Sequence, residues 1–280
     1  SKPARSCGVY GIARSLDLDA YCVCIQWVGA SLPTFQTLSA LLRVHMRGIP
    51  FENLDVLLAL GVRLDLDALQ DKLVRSRRGG YCFEHATLFA AVLEAVGFAP
   101  VRRSARVVLF APRAAAARTH MFLTVSFPEG TFVVDPGFGG LAPVVPVALQ
   151  ERTDEPAGGE VHWMAREDGF WVLRAQTDGT IVDCWVSTLA DDNVIDFVVS
   201  NHYTATHPAS AFRNRIMLRA LTADGRVTVM NRDVTIWQES AFRSIHLPDR
   251  AALRVLPVEH LRFALPQLPA LSVPPSAACR

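Results

Sequence analysis

Apolar positions along this chain change from a helical to an alternating period near residue 100. Over residues 38–45, 66–75 and 83–96 the hydrophobic side chains recur three to four apart, as on one face of an α-helix. In the last stretch Phe83, Leu88, Phe89, Val92, Leu93 and Val96 hold that spacing and Gly97 stops it. From Val101 the period becomes two. Short alternating runs over 101–110, 120–127, 132–135, 170–176 and 181–186, with turn residues between, predict the strands of a barrel or sandwich. A short helix over 191–201 follows, then strands over 216–221, 227–230 and 234–237. A helix near 258–265 and a Pro-rich tail over 266–275 complete the pattern. The alanines at 114–117 read as a surface loop. The expected class is α+β in four parts: helical over 1–99, strand-rich over 100–188, a linking helix over 189–202, and a mixed part over 203–280.

One corner of this pattern carries candidate chemistry. Arg78-Gly79-Gly80-Tyr81-Cys82-Phe83-Glu84 sets a cysteine between a Gly-Gly turn and the start of the 83–96 helix. In a first helical turn the free N–H groups and the helix dipole favour a thiolate over a thiol. An inert buried cysteine is the competing reading. His120 opens a strand whose Met121, Leu123, Val125 and Phe127 share the core-facing side, so the imidazole points the other way. Asp135 ends the returning run, and Pro136 keeps it extended. Gly137-Phe138-Gly139-Gly140 then reads as a mobile loop poor in side chains. Cysteine, histidine and aspartate in that order suit a nucleophile, a base and a group that orients the base. Singly, His120 reads equally as a strand-end histidine and Asp135 as a turn former. With a turn over 128–131, the two share a face but stand four residues apart, about 13 Å, so a bulge or an unpaired His120 is needed.

Four segments together resemble the bacterial arylamine N-acetyltransferases. They are Ile49-Pro50-Phe51-Glu52-Asn53-Leu54-Asp55, the Arg77 to Glu84 corner, Arg118-Thr119-His120, and Val134-Asp135-Pro136-Gly137-Phe138-Gly139-Gly140. A fainter match runs through Asn201-His202-Tyr203 and Pro208-Ala209-Ser210-Ala211-Phe212. The likeness departs at Pro136, where a valine is usual, and at Ala86, where asparagine is common. It implies a helical bundle, a β-barrel and an α/β lid, with a cysteine-protease-like triad of Cys82, His120 and Asp135 where the first two meet. It also implies acetyl transfer from acetyl coenzyme A to arylamines, arylhydrazines or N-hydroxyarylamines, by ping-pong through an acetyl-cysteine. A thiolate–imidazolium pair is expected. By the same resemblance Thr119, Phe138, Gly139 and Gly140 cradle the coenzyme's pyrophosphate, while Phe51, Phe138 and Tyr203 line the acceptor pocket. Arg78 and Glu52 are expected to form a structural buried pair. His85, one turn after Cys82, is the rival partner for the sulfur.

Composition agrees. A net charge of +1 over 280 residues leaves no broad basic face for nucleic acid. Small arginine clusters (Arg75, Arg77 and Arg78; Arg102 and Arg103) suit a phosphate-bearing ligand or a solvated face. No apolar run reaches membrane-spanning length, and the charged start lacks the apolar core of a signal peptide. The six cysteines, Cys7, Cys22, Cys24, Cys82, Cys184 and Cys279, lack metal-ligand spacing, so no metal is expected. A reducing cytoplasm fits, with the protein a monomer or homodimer. A cysteine hydrolase or transglutaminase-like enzyme, a related amide synthase, and a non-catalytic binding module are the alternatives.

Overall fold

The helical periodicity folds into a bundle around one apolar core. In the computed structural model, residues 16–29, 32–153, 161–177, 179–223, 225–238, 241–248 and 252 are described. The helix expected at 258–265, the 266–275 tail, Cys7 and Cys279 lie outside them. Helix α1 (Leu18–Ile25), α2 (Phe35–Gly48) and α5 (Cys82–Val96) bury Tyr21, Leu38, Leu42, Phe83, Phe89 and Leu93 together. Thr34 caps α2 by accepting the Thr37 N–H, and α5 ends at Gly97 with φ 99°. Between α2 and α5 lie β1 (Phe51–Glu52), α3 (Leu54–Leu57) and α4 (Leu66–Leu69). The single helix expected over 66–75 is α4 continued by a π-helical turn, Gln70–Arg75. Apolar spacing does not distinguish the two windings over so short a run.

Seven strands form an antiparallel sheet: β2 (Val101–Val107), β3 (His120–Phe127), β4 (Gly130–Val134), β5 (Val147–Ala148), β6 (Val161–Glu167), β7 (Phe170–Thr177) and β8 (Thr180–Ser187). Their order is β5-β4-β3-β2-β8-β7-β6. A bridge between Glu151 and Met164 draws the two outer edges together, so the sheet rolls into a nearly closed barrel. Strand β6 was not expected, because Trp163, Met164 and Ala165 are all buried and erase the alternation. Strand β3 lies between two cores. Met121, Leu123 and Val125 enter the bundle core, while Phe122 enters the barrel core beside Trp185. His120 does point away from the bundle, but into protein rather than water.

Helices α6 (Val194–Thr206) and α7 (Ala211–Asn214) lead to a second sheet. Its strands β9 (Met217–Leu221), β10 (Gly225–Met230), β11 (Asp233–Gln238) and β12 (Ala241–His246) are joined at one edge by β1, in the order β1-β9-β10-β11-β12. Strand β1 thereby ties the segment before Cys82 to this sheet. No helix among the described residues is long and apolar enough to cross a membrane.

Candidate active site

Cys82 is the first residue of α5 and is buried. Gly79 and Gly80 serve this corner by leaving space rather than by adopting left-handed angles. A Cβ on Gly79 would stand 2.2 Å from the Pro50 carbonyl oxygen, and one on Gly80 would stand 2.7 Å from Glu84 Oε2. Glu84 Oε2 accepts the Tyr81 N–H at 3.0 Å and so caps the helix that Cys82 opens. Its other oxygen accepts from Lys72 Nζ at 2.7 Å, and Lys72 also holds Asp55 at 2.8 Å. Arg78 bridges Glu52 and Asp55, each at 2.7 Å, and Glu52 Oε2 accepts the Leu54 N–H at 2.6 Å. Burial pushes Glu84 up and Glu52 adds to it, against the pull of Lys72, leaving it at about 7. The Arg78–Glu52 pair expected from sequence thus belongs to a five-residue network under the Cys82 corner, its three acids buried and Lys72 and Arg78 half-buried. The other arginine clusters are engaged as well: Arg102 with Glu94, Arg103 with Asp191 and Arg75 with Asp71.

The β3–β4 hairpin brings His120 to Asp135 without a bulge. Phe127 pairs with Gly130 and Leu123 with Val134, so the turn is Pro128-Glu129 rather than four residues. The register is shifted by two from the expected one. Continued one step, it sets Asp135 opposite Phe122, two residues from His120 and on the same face, about 7 Å along the strand. The side chains close that gap: His120 Nε2 and Asp135 Oδ2 are 2.8 Å apart, and both residues are buried. Asp135 Oδ2 also accepts from Trp185 Nε1 at 3.0 Å, and Oδ1 from the Gly137 N–H at 3.3 Å. Burial alone would depress the imidazole. The Asp135 carboxylate, with Cys82 behind it, outweighs that and lifts His120 to about 10. Cys82 Sγ lies 3.8 Å from the carbonyl oxygen of Thr119, the residue before His120.

The loop after Asp135 packs closely over Gly137 to Gly139 and is exposed at Gly140. A Cβ on Gly137 would stand 2.6 Å from Cys82 Cα. The Phe138 ring meets His120 edge-on at 5.2 Å, and Gly139, with φ +86°, lies against the Phe51 ring. Cys82 and His120 open on a cavity of about 400 Å³ walled by Phe51, Thr119, Phe138, Gly139, Gly140 and Tyr203. Every sequence-derived site residue except Asp135 touches it; Asp135 stands behind His120. Ala116, Ala117 and Phe110 from the alanine-rich loop and Phe212, Met217 and Val229 are among its further apolar lining.

His85 is excluded as the sulfur's partner, because both ring nitrogens are spent elsewhere. Nε2 meets the Pro50 carbonyl oxygen at 3.1 Å and Nδ1 meets His45 Nε2 at 2.9 Å. Burial, first of all, holds it down at about 4. Trp185 and the His45–His85 chain were not anticipated. Trp185 carries no local signal beyond its place in an alternating run.

A bundle helix bearing a thiol and packed on a barrel bearing an imidazole and a carboxylate is an α+β arrangement of the cysteine-protease-like kind. Residues 34–266 match the family model described as N-acetyltransferase. The arylamine N-acetyltransferase of Mycobacterium tuberculosis is 41% identical over 245 residues, 85% of this chain and 86% of that protein. That of Escherichia coli is 35% identical over 238 residues, covering 84% and 85%. Among solved structures, the M. tuberculosis arylamine N-acetyltransferase superposes with a TM-score of 0.83 at 38% identity, covering 89% of this chain and 93% of that one. The M. marinum enzyme in complex with CoA gives 0.82 at 34% identity, covering 88% and 93%. The chain belongs to the arylamine N-acetyltransferase family and is an acyltransferase.

Proposed function

We propose that this protein carries acetyl from acetyl coenzyme A to the nitrogen of an arylamine, arylhydrazine or N-hydroxyarylamine, through an acetyl-Cys82 intermediate. The observation that carries this reading is the buried His120–Asp135 pair beside Cys82, opening on an apolar cavity. Asp135 holds His120 through Nε2, which leaves Nδ1 for the sulfur. The thiolate attacks the thioester carbonyl carbon, the carbon–sulfur bond to coenzyme A breaks, and imidazolium His120 protonates the departing thiolate. The amine then attacks the acetyl-cysteine. His120 takes the proton it releases, and Cys82 leaves as thiolate, which restores the starting pair. Two half-reactions at one sulfur make the kinetics ping-pong.

The Phe138-Gly139-Gly140 backbone meets the pyrophosphate through its N–H groups, with Thr119 beside it, whose own N–H is taken by the Ala117 carbonyl at 2.9 Å. The structural relative with CoA bound supports a coenzyme site in this fold. Phe51, Phe138 and Tyr203 offer flat apolar walls to an aromatic acceptor. In this division of labour residues 1–99 supply the nucleophile, 100–188 the histidine and aspartate, 189–202 the link and 203–280 the lid. A nucleophilic thiolate suits the reducing cytoplasm.

Intact mass after incubation with acetyl coenzyme A tests the reading. One added acetyl, absent in Cys82→Ala and discharged by an arylamine, is expected. Coenzyme A release with no acetyl retained would favour a hydrolase, and no reaction with acetyl coenzyme A would favour an amide synthase.

A further inference from the structure

We propose that Arg219, far from the triad in sequence, is a positioning residue that fixes the 137–142 loop in the form that receives the acyl donor. The inference rests on the assignment of that loop to the coenzyme. Arg219 sits on β9 and is buried, 4% exposed. Its Nη1 donates to the carbonyl oxygens of Gly139 at 2.8 Å and Ala142 at 3.2 Å. The Ala142 N–H itself donates to Gly139 at 3.1 Å, so a tight turn is closed and the guanidinium clamps both its ends. A buried cation on two carbonyls makes charge-assisted bonds that a neutral side chain does not replace.

Three further contacts make this clamp matter to the site. Across the sheet Arg219 pairs with Phe51 on one side and Thr228 on the other, and both line the cavity. The clamped loop carries Gly137 against Cys82 and Phe138 against His120. A trans peptide points its carbonyl and the following N–H in opposite directions. Holding the Gly139 carbonyl therefore also sets the direction of the Gly140 N–H. Gly140 borders the cavity with nothing within 4 Å of the place a Cβ would take.

The test compares Arg219→Met, which keeps much of the volume, with Arg219→Lys, which keeps charge but loses the fork. Coenzyme A affinity is measured by calorimetry, without turnover, alongside the pH profile of Cys82 alkylation by iodoacetamide. Losing bonds from a charged donor predicts roughly tenfold weaker coenzyme binding in the Met variant and roughly threefold in the Lys variant. The alkylation profile is expected to stay in place, because the triad does not use Arg219. Unchanged coenzyme affinity in either folded variant, with only a lower melting temperature, would overturn the proposal and leave Arg219 a structural residue. If the Met variant fails to fold, the Lys variant decides. A wild-type protein that binds coenzyme A but never becomes acetylated would sink the functional reading instead, and the affinities would still judge Arg219.

Discussion

His120 and His85 flank the start of the same helix, and both are almost fully buried, at 2% and 1% exposed. One is held at about 10 and the other at about 4. Burial is common to both and pushes each imidazole down. What differs is the neighbour. His120 meets the Asp135 carboxylate across the β3–β4 hairpin, whereas His85 belongs to a neutral chain through the bundle. The Pro50 carbonyl can only accept, so His85 Nε2 carries the proton and its Nδ1 accepts from His45 Nε2–H. His45 Nδ1 then accepts from the Tyr21 hydroxyl at 2.7 Å. Every ring nitrogen is satisfied without a charge, and burial likewise keeps His45 well below its ordinary value. One neighbouring acid, not depth, decides which of the two imidazoles is held protonated.

Giving His120 surroundings like those of His85 is the most severe way to break the contrast. Asp135→Asn removes the charge while keeping the shape, and the acetylation rate should fall by about four orders of magnitude, as when other triads lose their acid. Stopped-flow single turnovers measure it. A fall under tenfold would mean that the carboxylate does not make the difference.

The second effect is on stability, and the two histidines tilt it in opposite directions. His85 binds its proton near 4 in the fold but near 6.5 when unfolded. Its neutral state therefore costs nothing above about pH 6.5, and stability drains away as pH falls toward 4, on the order of 3 kcal/mol. His120 is raised, so its contribution is full below about 6.5 and is lost as pH climbs through about 10. Urea midpoints from pH 4 to 10 should show His85→Gln flattening the acid limb and His120→Gln the alkaline one. Identical limbs in all three proteins would erase the distinction.

The mildest change is Trp185→Phe. It keeps a ring stacked on Phe122 (centroids 4.3 Å apart in the native protein) but deletes the N–H that meets Asp135. Losing one bond to a charged acceptor should slow acetylation roughly tenfold with little loss of melting temperature. No change in rate would show that His120 and the Gly137 N–H orient the carboxylate by themselves.

The helix from Cys82 and the strand from His120 to Phe127 were legible because each repeats its period over a long enough run. The hairpin register was not. It depends on whether the turn takes two residues or four, and Pro128-Glu129-Gly130-Thr131 permits both. The two-residue slip kept His120 and Asp135 on one face, so the pairing was readable even though the distance was wrong. Gly79 and Gly80 were read as turn formers, but the reason for them, the Pro50 carbonyl and the Glu84 side chain, comes from elsewhere in the fold. Trp185 and Arg219 gave no signal, lying 50 residues beyond Asp135 and 80 beyond Gly139 respectively.

By itself the sequence determined where the longest bundle helix and the strand opened by His120 begin, that a thiol opens that helix, and that a histidine and an aspartate share a strand face. Those follow from local spacing and backbone preference. Only the tertiary structure decided how far apart those two stand, what else grips the carboxylate, and what holds the loop beside it. Ionisation and loop geometry answer to neighbours within a few ångströms, and folding draws those neighbours from distant parts of the chain.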